Sequence, residues 1–175
     1  MPQSVSSPTI TASVPVTPSA SASPTATVIP SASAPPSPTV PADWASYAPA
    51  GGGVTIRYPS GWYAIPGGGI TSWDTTAWHN PQFPLGATKV DVLYGPTSQA
   101  EPRPSGAVDR ATSAGDGWEA EYINPPDQAN GVSDVHELTV THGEKTLSLV
   151  AYYSAPEPTN RDAIFDLIAS SISFQ

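Results

Sequence analysis

Three histidines and a few closely spaced carboxylates are the side chains here whose types could do chemistry. Asp134 and His136 stand two apart in a strand-like stretch. Alternation puts both on one face of the strand, where they are conceivable ligands of a metal ion. His142 follows six residues after His136, and His79 stands alone in a loop. No HxH or HExxH spacing accompanies any of them. The plainer reading is a partly buried histidine at a sheet end and a polar hairpin turn, so no metal and no cofactor is expected. Asp116, Glu119 and Glu121 could supply the paired carboxylates of a glycosidase. Glu119 and Glu121, however, share a strand face of the kind a solvated edge presents. Serine is abundant, but no G-x-S-x-G elbow occurs. The glycine triplets at 51–53 and 67–69 lack phosphate-cradling spacing and read as turns. No catalytic residue is assigned, and the chain is not expected to be an enzyme.

The aromatic residues are the more informative set. Trp73, Trp78, His79 and Phe83 cluster around a loop that need not be core, and exposed rings there could stack on sugars or anchor a protein partner. Trp78 is the foremost binding candidate of the four. The plainer reading assigns Trp62, Trp73 and Trp118 to the core of a small sheet.

These residues need elements to hold them. Asp43 is a plausible N-cap for a short helical turn over 43–47, ended by Pro49 and the first glycine triplet. Val54–Tyr58 alternates cleanly and predicts a strand with Val54, Ile56 and Tyr58 on one face. Short strands are expected at 62–65 and 70–74, and a loop at 75–85. A stronger strand is expected at 87–94, and irregular chain at 95–106. Further strands are predicted at 108–113 and 118–123. In the latter, Trp118, Ala120 and Tyr122 oppose Glu119 and Glu121. Residues 132–141 and 145–153 flank Gly143-Glu144 and predict a two-residue hairpin, which sets Val140 opposite Leu147 and Leu138 opposite Leu149. Thr159-x-x-Asp162 reads as a capping-box variant opening a helix over 161–170. The apolar stripe of that helix is Ile164, Phe165, Leu167, Ile168 and Ile172. An antiparallel sheet closed by a C-terminal helix is an α+β arrangement.

Composition divides the chain in two. Residues 1–42 contain ten of the 22 prolines and no charged side chain or histidine. Such a segment cannot bury enough apolar surface to offset the entropy of ordering, and it predicts a disordered Ser/Thr/Pro/Ala tether. A flexible chain of that length spans roughly 35–40 Å. Ser/Thr-Pro stretches of this kind serve as stalks on exported proteins. The domain is expected at 43–175 and carries the whole net charge of −9. That charge, with six scattered bases, argues against nucleic acid and against adsorption to an anionic bilayer. With no cysteine, disulfides, cysteine-held zinc and thiol catalysis are excluded. Met1 is followed by polar residues rather than a basic and then apolar stretch, so a mature or trimmed form of an exported protein is expected.

Two segments carry a resemblance. Gly53-Val54-Thr55-Ile56-Arg57-Tyr58-Pro59-Ser60-Gly61-Trp62 is similar to the G-[FV]-x-I-x-[YF]-P-x-x-W opening of the PsbP-like/Mog1-like superfamily. Phe165-x-x-Ile168-x-x-Ser171-Ile172-x-Phe174 resembles the closing helix-to-strand segment of the same proteins. The resemblance implies an α/β/α sandwich on an antiparallel sheet, in a family whose members are mostly non-enzymatic and include bacterial lipoproteins. It transfers no functional residue. The expected function is a non-catalytic extracytoplasmic binding domain on a flexible stalk, lipoprotein-derived and monomeric, acting through a protein partner at the cell envelope. Membrane contact is expected only through a lipid anchor outside this chain. The alternative is a carbohydrate or cell-wall binding module using the loop aromatics, and a hydrolase comes third.

Overall fold

The computed structural model describes residues 38–75, 83–123, 125 and 130–175. The chain divides into two units, Met1–Pro35 and Pro36–Gln175, and the described residues belong to the second. The expected tether, apart from residues 38–42, lies outside them.

Among the described residues, ten strands and one α-helix follow in chain order. They are β1 (Ala45–Tyr47), β2 (Val54–Tyr58), β3 (Tyr63–Ile65), β4 (Gly69–Thr71), β5 (Thr88–Pro96), β6 (Val108–Thr112), β7 (Gly115–Ile123), β8 (Val132–His142), β9 (Lys145–Ser154), α1 (Arg161–Ser170) and β10 (Ser173–Phe174). A 3-10 turn, Thr97–Gln99, follows β5. Seven strands form one antiparallel sheet in the order β3-β4-β5-β9-β8-β7-β6, and three form a small sheet, β1-β2-β10.

The centre of the large sheet is the predicted hairpin. Gly143, at φ 59°, makes the tight turn possible, and His142 pairs with Lys145. Val140 lies opposite Leu147 and Leu138 opposite Leu149, the register that the alternation predicts. These four are fully buried and face α1 and the small sheet. Val90 and Val92 of β5 continue the same face, as do Ile56 of β2 and Phe165 and Ile168 of α1. We call this the inner face. Gly69 shows how closely the strands approach: a Cβ there would lie 2.1 Å from the carbonyl oxygen of Val90, so β4 can run beside β5 only with glycine at this place.

The two segments similar to the PsbP-like family meet in space. Phe174 pairs with Val54 and Ser173 with Thr55, joining the end of the domain to its beginning. The Ser171 hydroxyl caps the helix by donating to Ile168 O at 2.6 Å, and it accepts the Arg57 backbone N–H at 2.7 Å. Their residues therefore weld the second layer together.

Three local expectations are corrected. Residues 43–47 are not helical: Ala45–Tyr47 pairs with β2, and the Arg57 guanidinium donates to the carbonyls of Ala42 and Trp44 at 2.8 and 3.0 Å. Pairing with a neighbouring strand overrides the local capping signal there. The capping box does not form. Asn160 occupies the N-cap without a side-chain bond, and Asp162 meets Arg161 Nε at 3.2 Å instead. Trp118 is not core, because the alternation of β7 points it to the outer face, opposite α1. Trp62 does pack against the core.

The architecture is a β-rich α+β fold. Among the described residues one α-helix is present, on the inner face. The second helical layer of the α/β/α sandwich expected from the resemblance is not among them. No described helix is long and apolar enough to cross a membrane.

Candidate functional site

Two regions concentrate functional side chains, one on each face of the large sheet.

On the inner face the apolar core gives way, toward β7 and β6, to charge. Glu119 and Glu121 of β7, Asp134 and His136 of β8 and Arg110 of β6 all point to α1 by alternation. Arg110 forms ion pairs with Glu119 and, at 2.5 Å, with Asp166 of the helix. Arg161, at the helix start, binds Asp134, Glu121 at 2.6 Å and Glu157 at 2.6 Å. Burial alone would lower the pKa of each arginine. The hydrogen bonds that Arg110 donates to Asp166 and Glu119, and Arg161 to Asp134, outweigh it and raise both above the ordinary value. His136 stacks on Phe165, with ring centroids 4.0 Å apart, and its Nε2 lies 3.7 Å from Glu119.

The geometry bears on the sequence candidates. Asp134 and His136 do share a face, but Asp134 is engaged by Arg161 and His136 by Phe165. No group of three or more metal-ligating side chains occurs among the described residues. Glu119 is half-buried and Glu121 stays exposed; both stand on the helix side of the sheet, and each is held by an arginine. Their chemistry here is charge pairing. His142 stacks on Phe174 at 4.6 Å.

The second region is the outer face. Thr97 of the 3-10 turn reaches one edge of it, hydrogen-bonded to Thr146 at 3.0 Å, and Phe83 meets it at the Tyr152 corner. Trp118 and Tyr122 of β7, Tyr152 of β9 and Leu93 of β5 stand on it, and Leu93 is 56% exposed. Polar pairs lie between them. Thr139 and Ser148 are hydrogen-bonded at 2.7 Å, Tyr122 donates to Glu137 at 3.0 Å, and Lys89 meets Asp91 at 2.8 Å. The Lys89 ammonium also sits 5.3 Å from the Tyr152 ring centroid. Of the four predicted binding residues, two are placed here. Trp73 and Phe83 meet at 5.4 Å between centroids, and Phe83 reaches Tyr152 at 6.2 Å. Trp78 and His79 lie outside the described residues. Phe83, Lys89, Asp91, Asn130, Val132 and Tyr152 line a recess of about 160 Å³ at this corner. Sequence reasoning missed Tyr122 and Tyr152, although period-2 alternation in β7 and β9 carries the signal that they share one face.

Tyr122 offers a direct check of this surface. Burial first, and then its hydrogen bond to Glu137, push its pKa up to about 12. Between the ordinary value of 10.0 and about 12 the folded chain holds a proton that the unfolded chain has released. This contribution to stability is therefore complete below pH 10 and is lost as pH rises through that window. A spectrophotometric tyrosine titration should show a late phase near pH 12 that Tyr122→Phe reduces by one hydroxyl. If the phase is unchanged in the variant, the Tyr122–Glu137 bond is not made in solution.

No family model matches the chain, and no curated protein matches it in sequence. Among solved structures it is similar to a crystal structure from Bacteroides thetaiotaomicron VPI-5482, with a TM-score of 0.47 and 12% identity over 74% of this chain and 48% of that one. The chain thus spans about half the length of that protein. It is also similar to the solution structure of cyanobacterial PsbP (CyanoP) from Synechocystis sp. PCC 6803, with a TM-score of 0.44 and 15% identity over 75% of this chain and 92% of that one.

Proposed function

We propose that this is a non-catalytic, extracytoplasmic protein-binding domain of PsbP/Mog1 type, carried on its Ser/Thr/Pro/Ala stalk and acting at the cell envelope. The observation that carries the reading is the outer face of the large sheet, where alternation gathers Trp118, Tyr122 and Tyr152, and Trp73 and Phe83 extend the row at one corner. Tyrosine and tryptophan on a rigid sheet are good anchors, because they bring large contact area at little cost in side-chain entropy. The charge-free tether supports export, and lipid anchoring upstream of this chain belongs to the same reading. A second reading, a carbohydrate-binding module, is favoured by the polar recess beside Tyr152 and Phe83, where Lys89, Asp91 and Asn130 could accompany a ring stacked on a sugar.

The test is a pull-down from an envelope fraction with the full chain, beside Tyr152→Ala and Trp118→Ala. A specific partner weakened about tenfold or more by either substitution, as expected of an interface anchor, supports the first reading. Loss of no partner, together with a saturable tryptophan-fluorescence change under glycan titration that Tyr152→Ala removes, replaces it with the second.

A further inference from the structure

Among the described residues the sheet ends at β6, with no strand paired to its outer side. The two-residue turn Ser113-Ala114 closes the β6–β7 hairpin with Thr112 opposite Gly115 and Arg110 opposite Gly117. In such a hairpin these facing residues exchange the ladder hydrogen bonds, so the backbone groups of Asp109 and Ala111 point away from β7. No hydrogen bond to these groups is present among the described residues. Both residues are exposed, as is Val108 at 57%.

Beside this edge, between β6 and α1, runs a groove. Its two parts have volumes of about 380 and 480 Å³ and meet at the Arg110–Asp166 ion pair, which belongs to both. Glu119, Glu121, Asp162 and Asp166 line it, against the single lining base Arg110. Arg161 offsets part of this through Glu121 and Asp162, and Arg103 pairs with Asp109 on the far side of the strand. The helix ends here too: Ser170 lines the groove, and the last carbonyls of a helix favour cations.

We propose that β6 accepts an extended, basic peptide segment of a partner protein as an eighth strand, with alternate side chains of that segment directed into the acidic groove. An open edge supplies main-chain hydrogen bonds and the groove supplies side-chain selection, which is the logic of strand addition. Charge complementarity picks the occupant. Of the chain's own residues 1–42, Pro38 lines one end of the groove, but the segment contains no base and so lacks the complementary charge. This site lies on the opposite face from the aromatic surface and stands or falls independently of it.

The experiment titrates the full chain with a fluorescent peptide of alternating lysine and valine, against its glutamate-for-lysine counterpart, while backbone amide shifts are followed by NMR. Expected are saturable binding of the basic peptide alone, weakening as salt rises, and amide shifts concentrated at Asp109 and Ala111. Ala111→Pro removes an outward N–H without touching the β6–β7 ladder and should weaken binding about tenfold, the scale of one or two lost hydrogen bonds. Glu121→Gln with Asp162→Asn leaves the edge intact and should weaken it several-fold while keeping the amide shifts at β6. Equal binding of the acidic peptide, no binding of either peptide, or shifts confined to β5, β8 and β9 would overturn the proposal. So would undiminished binding by both variants when circular dichroism shows them folded.

Discussion

Replacing Arg161 with methionine is expected to cost the domain about 3–5 kcal/mol, the range for breaking a buried ion pair from one side. Arg161 is 18% exposed at its side chain, and Asp134, its most buried partner, is 5% exposed. The substitution keeps most of the aliphatic stem but removes the guanidinium. Asp134 then keeps a buried carboxylate with neither oxygen paired, since its Oδ1 already has no hydrogen-bond partner among the described residues. Glu121 and Glu157 lose the same cation, but they are more solvated and contribute less. Urea unfolding of Arg161→Met should show the loss with an unchanged denaturant slope, and thermal unfolding should fall by roughly 10–20 °C.

The stranded charge can be tested directly. Adding Asp134→Asn to Arg161→Met removes it and should recover part of the loss. A deficit under about 1 kcal/mol in Arg161→Met at pH 7 would show that the cluster is solvent-screened and contributes little.

Phe165→Ala should be comparably severe, at about 3–5 kcal/mol. Phe165 is 1% exposed, lies at the centre of the inner core and covers the His136 ring. Its loss removes transfer free energy and leaves a cavity between α1 and β8 that the rigid sheet cannot close. Phe165→Leu keeps most of the volume and should cost about 1–1.5 kcal/mol. Chemical shifts of the His136 ring protons distinguish the contact from general softening: the stacked ring moves them in the parent, and both variants should release them. If the alanine variant costs no more than the leucine one, the helix is not anchored through this ring.

Much of this frame was legible in the residues. The β8–β9 hairpin and its register follow from two alternating runs around Gly143-Glu144. The bounds of α1 follow from its apolar stripe between Pro158 and Ser171, and β2 from the alternation of Val54, Ile56 and Tyr58. In each case the information is local, because period and turn chemistry lie within a few residues. Residues 43–47 were not legible, because a strand there depends on β2 and on Arg57 reaching back across the turn.

The candidate site was legible only in outline. The alternation in β7 separates Trp118 and Tyr122 from Glu119 and Glu121, but it does not say which set turns inward. Hydrophobicity alone would turn the aromatic set inward. The fold does the opposite, because Arg110 from the neighbouring strand, itself held by Asp166, and Arg161 from the helix pair with the glutamates there. That leaves the aromatic rings on the outer face. Periodicity and turn residues thus set the elements and their pairing along the chain. The choice of inner face, the open edge at β6 and the meeting of the two terminal segments rest on groups up to 120 residues apart, such as Gln175 and Thr55, whose energies exist only once the sheet has assembled.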